Sequence, residues 1–149
     1  MTQFVHAWHP CYVFINGCFD ILHPGHIRLL QFGASRGKLI VGINADSSIK
    51  MCKGRDPIMS HRERKEMLEA IDGVYEVYVF SQANPICLIE QLHKHKKTPS
   101  FVVKGHEYKK KVMPEKELLD SLGTQILYFD STYPNHTTEI IKKCQAISL

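Results

Sequence analysis

The stretch INGCFDILHPGHIRLL, Ile15 to Leu30, is where one kind of chain hands over to another. Ahead of its end, CYVFI (Cys11 to Ile15) is a short apolar run with β-branched and aromatic residues, the composition of a buried strand. Asn16-Gly17 marks the expected strand end, and Pro24 suits the first turn of a helix. From Pro24, residues Ile27, Leu30 and Ala34 fall on one helical face, with Leu29 beside them, and Gly33 or Gly37 offers a stop. Two histidines, His23 and His26, stand at that handover with Pro-Gly between them.

The same alternation runs outward along the chain. KLIVGI (Lys38 to Ile43), YEVYVF (Tyr75 to Phe80), SFVVK (Ser100 to Lys104) and TQILYF (Thr124 to Phe129) read as further strands. HRERKEMLEAI (His61 to Ile71), PICLIEQLHKH (Pro85 to His95), PEKELLDSL (Pro114 to Leu122) and TTEIIKKCQ (Thr137 to Gln145) read as helices. Ser60 with Glu63 forms a capping box for the first of these, and Asn84 can cap the second. Continuous apolar strands separated by helices imply a parallel sheet covered on both faces. The expected fold is therefore α/β, a single Rossmann-like, doubly wound, five-stranded parallel sheet, with residues 1–149 as one domain.

In such sheets ligands bind beyond the carboxyl ends of the strands, where strand order reverses. Four loops on that edge carry most of the informative polar residues: NGCFDILHPGH, NADSSIKMCKGRDPI, KGHEYKKK and DSTYPNHTTE. In the first, Gly17 removes a side chain just past the strand, so the N–H groups of Gly17, Cys18 and Phe19 can face a phosphate. The helix beginning near Pro24 points its positive end at the same space. His23 and His26 project from neighbouring positions at that helix start and can donate to a phosphate oxygen as its charge grows. The bland alternative makes His23 a helix cap and His26 a satisfied surface histidine.

Bulk properties set limits. The chain has 149 residues, 44% hydrophobic and 23% charged, an ordinary globular mixture with enough length for a real core. Its apolar runs are too short to cross a bilayer, and MTQFVHAWHP lacks the pattern of a signal peptide, so the cytoplasm is the expected compartment. Net charge is +4, which suits an anionic ligand and gives no ground for a nucleic-acid partner. The five cysteines include no C-x-x-C pair, so buried reduced thiols are expected for most of them. His6 and His9 are spaced H-x-x-H without further ligands nearby, and no protein metal site is expected.

GCFDILHPGH resembles the G-x-F-D-x-x-H-x-G-H signature of the cytidylyltransferase-like nucleotidyltransferases. KGRDPIMSHRERKEML, VKGHEY and HTTEII are similar to three further segments of that family, so the resemblance covers nearly the whole chain. Asn-Gly-Cys-Phe-Asp and the Lys-Gly segment most resemble the adenylyltransferase domain of bacterial ADP-heptose synthesis. The resemblance implies roles residue by residue. His23 and His26 would hold phosphates and stabilise the transition state, with Lys53 and Arg64 as further catalytic cations. Gly17, Cys18 and Phe19 would form the backbone cradle. Lys104, Gly105 and Tyr108 would serve the nucleotide from the fourth loop, and Thr137 and Thr138 from the last helix. Asp20, Asp46 and Lys50 would lie on the acceptor side. His136, His106 and Glu107 depart from the family pattern.

The implied reaction joins the NMP moiety of ATP or CTP to a small phosphorylated sugar or polyol, releasing pyrophosphate. Adenylyl transfer to a heptose 1-phosphate-like sugar is the first expectation and cytidylyl transfer to glycerol 3-phosphate the second. Mg2+ is expected, carried mainly by the triphosphate. A non-catalytic nucleotide sensor is the reading from another class; the retained His23, His26, Lys53 and Arg64 speak against it. No G-x-G-x-x-G supports a dinucleotide enzyme. Members of the family are often dimers, and the apolar segment around Trp8 is the candidate homodimer surface.

Overall fold

Strand order puts the first loop at the centre of the sheet's carboxyl edge. In the computed structural model, which describes residues 9–147, five strands form one sheet in the order β3-β2-β1-β4-β5. They are β1 (Tyr12–Gly17), β2 (Lys38–Asn44), β3 (Val74–Phe80), β4 (Pro99–Gly105) and β5 (Gln125–Phe129), and each neighbouring pair is parallel. The helices are α1 (Pro24–Ala34), α2 (Asp46–Lys53), α3 (His61–Glu69), α4 (Ile86–Lys94), α5 (Lys116–Ser121) and α6 (Thr137–Ala146). The order reverses between β1 and β4, the switch point at which α/β sheets open a crevice. His6 and Trp8 lie outside the described residues, and with them the H-x-x-H pair and the expected dimer surface.

The apolar runs resolve into two faces. Val13, Ile15, Leu39, Val41, Ile43 and Val77 pack with Leu30 of α1 and Leu68 of α3. Tyr12, Phe14, Ile40 and Val102 pack with Leu88, Ile89 and Leu92 of α4 and Leu119 of α5. Burial on both faces is why the strands read as unbroken rather than alternating. Burying one such Ile or Phe side chain is worth about 1.5–3 kcal/mol.

Several local expectations differ from the structure. β1 continues through Asn16 and Gly17, because pairing with Gly42 and Ile43 of β2 carries the ladder past the expected stop. The segment after β2, read as a loop, contains α2, which ends at Gly54 in the left-handed region (φ 67). Lys111 follows a 3-10 turn, His106–Lys110, that the sequence reading also left irregular. All five cysteines are free, but none is fully buried: Cys11 and Cys18 are half-buried, and Cys52, Cys87 and Cys144 are exposed. Among the described residues no helix is long and apolar enough to cross a membrane.

Candidate functional site

The loop leaving β1 is braced from below. Asp20 is 2% exposed and its carboxylate accepts from the N–H groups of Ile58 (2.8 Å) and Met59 (3.1 Å) and from Arg55 (2.9 Å). Burial works against its ionisation, but these donors outweigh it and hold Asp20 below the usual carboxylate range. Asp20, expected beside the acceptor, thus spends both oxygens tying the first loop to residues 55–59. Arg55, its cationic partner, was not singled out in the sequence. Phe19 is buried and adopts φ 49, a left-handed conformation uncommon for an aromatic residue, at the cradle the sequence proposed.

His23 caps α1: its Nδ1 accepts from the backbone N–H of His26 at 3.4 Å, with Pro24 following at the first helical position. The capping reading is therefore correct, and it coexists with a second placement. The His23 ring stacks on His26 (centroids 3.7 Å apart, 22° between planes) and on Tyr133 (5.3 Å, 19°). Gly25 makes room for this, since a Cβ there would lie 2.9 Å from His23 Cε1 and 3.3 Å from the Tyr133 Cβ. Tyr133 is anchored near Arg28, whose guanidinium donates to the carbonyl of Ser131 at 3.0 Å. His26 is not a satisfied surface residue. Its Nδ1 is enclosed with no hydrogen-bond partner, while the residue as a whole lines both cavities described below. Burial, with nearby His23, pushes its pKa down to about 4, so the ring is neutral at pH 7. Burial, then His136, also lowers His23.

The expected cations separate into two groups. Arg64 is 1% exposed and sits behind the cavity wall, donating to the carbonyls of Met59 (3.0 Å) and Cys18 (2.6 Å) and to Asp46 (2.8 Å). It does not line the cavity; it braces the loop that does. Asp46 is likewise engaged, accepting from the N–H of His61 at 2.7 Å, with Arg64 and His61 holding it below the usual range against its partial burial. Lys50 is exposed, pairs with Asp56 at 3.3 Å, and is not part of the lining of the cavity at the switch point. Lys104 is buried and bonded to Asn16 (2.7 Å) and Glu115 (2.5 Å). Lys53 lines the cavity and has no ion pair among the described residues. Thr137 donates to the carbonyl of Ile21 at 3.3 Å and lines the cavity, whereas Thr138 is exposed and does not line it.

Gly17, Cys18, Phe19, Asp20, His26, Lys53, Lys104, Tyr108 and Thr137 meet around one cavity of about 430 Å³ at the switch point. A second, of about 350 Å³, is lined by His23, Gly105 and Tyr133 together with the three family departures, His106, Glu107 and His136. Both are lined by His26, Leu29 and Glu107, so they form two lobes meeting at His26. Asn16, Asn44, Asn84 and Glu115 also line the first lobe and were missed in the sequence. No position rule marks them, because their side chains converge only through the sheet order. Among the described residues no three His, Cys, Asp or Glu side chains cluster as a metal cage. An ion carried by triphosphate oxygens fits this donor set, with Glu107 and Asp130 the carboxylates on the second lobe able to add a ligand.

Comparison with known proteins places these features in context. The cytidylyltransferase-like family model matches residues 14–144. The bifunctional protein HldE of Bradyrhizobium sp. (strain ORS 278) is 36% identical over 135 residues, covering 89% of this chain and 26% of that protein. HldE of Rhodopseudomonas palustris (strain BisB5) is 37% identical over 136 residues, with the same coverage of 89% and 26%. The chain thus spans about a quarter of the length of the curated relatives it matches. Among solved structures, the lipopolysaccharide core biosynthesis protein from Thermoplasma volcanium GSS1 superposes with a TM-score of 0.65 at 23% identity, covering 81% of this chain and 97% of that one. Pantoate-beta-alanine ligase from Francisella tularensis gives 0.54 at 15% identity, covering 81% and 59%. These two likenesses establish the fold.

Proposed function

This chain belongs to the cytidylyltransferase-like family, and from that membership we propose that it is a nucleotidyltransferase joining the AMP moiety of ATP to a heptose 1-phosphate-like sugar, with release of pyrophosphate. The observation that carries the reading is the stacked His23–His26 pair, its buried Nδ1 unpartnered, at the junction of two lobes on the switch point. The HldE relatives and the resemblance to the adenylyltransferase of ADP-heptose synthesis favour adenine and a heptose. Cytidylyl transfer to glycerol 3-phosphate draws no support from them.

The chemistry asks little covalent work of the protein. An acceptor phosphate oxygen attacks the α-phosphorus in line and the bond to pyrophosphate breaks. The catalyst must hold two anions together and stabilise charge on the phosphoryl oxygens. Backbone N–H groups of Gly17, Cys18 and Phe19 and the start of α1 supply fixed dipoles. Neutral His26 and His23 act as hydrogen-bond donors rather than as fixed positive charges. Lys53 supplies a full charge from the lobe's rim, and Arg64 keeps the Cys18 carbonyl turned away from the anion. Magnesium, when bound, neutralises triphosphate charge. We place the activity in the cytoplasm, where NTPs are made, and assign the homodimer expectation to light scattering.

The test is a matrix of NTPs against heptose 1-phosphate and glycerol 3-phosphate with pyrophosphate as readout. ATP with the heptose is expected to give the highest kcat/KM. Faster turnover with CTP and glycerol 3-phosphate would replace the reading with the second one. Nucleotide binding without pyrophosphate from any pair would make the chain a sensor.

A further inference from the structure

The floor of the first lobe holds a group of side chains that nucleotidyl transfer by itself does not call for. Asn16 and Lys104 are the penultimate residues of β1 and β4, two residues beyond the paired Phe14 and Val102, so they stand side by side across the switch point. Glu115 enters from the residue before α5. Lys104 donates to Asn16 Oδ1 at 2.7 Å and to Glu115 Oε1 at 2.5 Å, and the lysine and glutamate side chains are only 7% and 3% exposed. The lysine is thereby neutralised and held. It is poorly placed to attract a phosphate, because any anion near it also meets the Glu115 carboxylate.

The clamp has a second consequence. With Oδ1 committed to Lys104, the Asn16 amide turns its Nδ2 donors elsewhere, and they make no hydrogen bond among the described residues. The second oxygen of Glu115 makes none either, and is not among the fully enclosed unpaired atoms. Both residues line the lobe, so it presents a fixed donor and a fixed acceptor a short way apart. A hydroxyl donates and accepts at once, so this is the complement of neighbouring hydroxyls and not of a phosphate or an apolar group. His26 and Lys53 line the same lobe and supply its anion-binding chemistry.

We propose that Asn16 and Glu115, set by Lys104, read hydroxyl groups of the phosphorylated acceptor, making the first lobe selective for a polyhydroxylated sugar. Lys104 is then a positioning residue rather than a nucleotide contact. The proposal rests on the nucleotidyltransferase reading and identifies the part of the site that chooses the acceptor. Sites built to bond a hydroxyl discriminate strongly against analogues lacking it, because their own polar groups are left unpaired.

The experiment measures kcat/KM for heptose 1-phosphate, its monodeoxy analogues and glycerol 3-phosphate in the wild type, Glu115→Gln and Asn16→Asp. Asn16→Asp leaves the buried Lys104–Glu115 pair in place should Glu115→Gln fold poorly, and circular dichroism checks both. Each variant is expected to lose about 10- to 100-fold in kcat/KM for the heptose, with KM for the NTP unchanged. One monodeoxy analogue is expected to show the same loss in the wild type and no further loss in the variant. Equal effects on acceptor and NTP, or losses that simply multiply for every analogue, would overturn the proposal while leaving the transferase reading intact. Absence of pyrophosphate from every pair in the wild type overturns both.

Discussion

Substituting Gly25 by alanine should separate catalysis from stability in this protein. The added Cβ would lie 2.9 Å from His23 Cε1 and 3.0 Å from Nδ1, where ordinary contact begins at 3.4 Å, so the ring must yield by about half an ångström. The ring has little freedom to do so at no cost. It is stacked between His26 and Tyr133, and its Nδ1 caps α1. Losing the cap costs about 1 kcal/mol, while replacing glycine by alanine inside a helix gains roughly the same. Stability should therefore change by less than about 1 kcal/mol, within a few degrees of Tm for a chain of this size. Turnover should not be spared, because misplacing a reacting group by 1 Å costs about a hundredfold, so half of that displacement predicts about tenfold. Pyrophosphate release at saturating substrates, beside a thermal melt, makes the comparison. Full kcat in Gly25→Ala would show that the stacked position of His23 is not the one the reaction uses.

His26→Ala should lower kcat by about a hundredfold or more with little change in the melt, and unchanged turnover would remove its role as a donor to the transition state. In the free protein the His26 ring should titrate near pH 4 by NMR, and a midpoint at or above the ordinary 6.5 would contradict its burial. Because the unfolded chain takes up this proton at higher pH than the folded one, His26 should make stability fall as pH drops from about 6.5 to about 4, seen as a declining urea midpoint. Arg64→Met, which strands the carbonyls of Met59 and Cys18 and removes the arginine partner of Asp46, should cost about 3 kcal/mol in urea unfolding; a stable variant that has lost only turnover would return Arg64 to the reacting centre.

The fold was legible because its signal is local and repeated. Each strand is an apolar run buried on both faces, and each crossover helix is marked by a cap or by proline. α2 escaped because only Ser48 and Ile49 of its eight residues are buried, leaving no apolar stripe to count. His23, Gly25 and His26 were legible because their chemistry is compressed into four consecutive positions. Asn16, Asn44, Asn84 and Glu115 were not, since they are brought together from β1, β2 and the starts of α4 and α5 by strand order alone. Lys97 is bound to Glu76 at 2.6 Å on the edge strand β3, far along the sheet order from β4, a pairing that no local sequence pattern marks.

A binding site for a triphosphate invites a count of cations, and here the count misleads. Of Lys50, Lys53, Arg64 and Lys104, three are already paired with Asp56, Asp46 and Glu115. A lysine or arginine buried without such a partner would raise a desolvation cost that a small domain cannot readily bear. Pairing removes that cost, but it also removes most of the attraction for an incoming anion. What remains in the cavity is Lys53, two imidazoles kept neutral by burial, the cradle N–H groups and the starts of α1 and α6. Dipoles and neutral donors are fixed by the fold before substrate arrives and need no reorganisation when charge develops. Under the proposed function the exposed Lys109, Lys110 and Lys111 would raise the local concentration of the anion before it docks. Added salt should therefore act on kcat/KM through encounter and leave kcat nearly untouched, whereas a site gripping its substrate through four free cations would lose both.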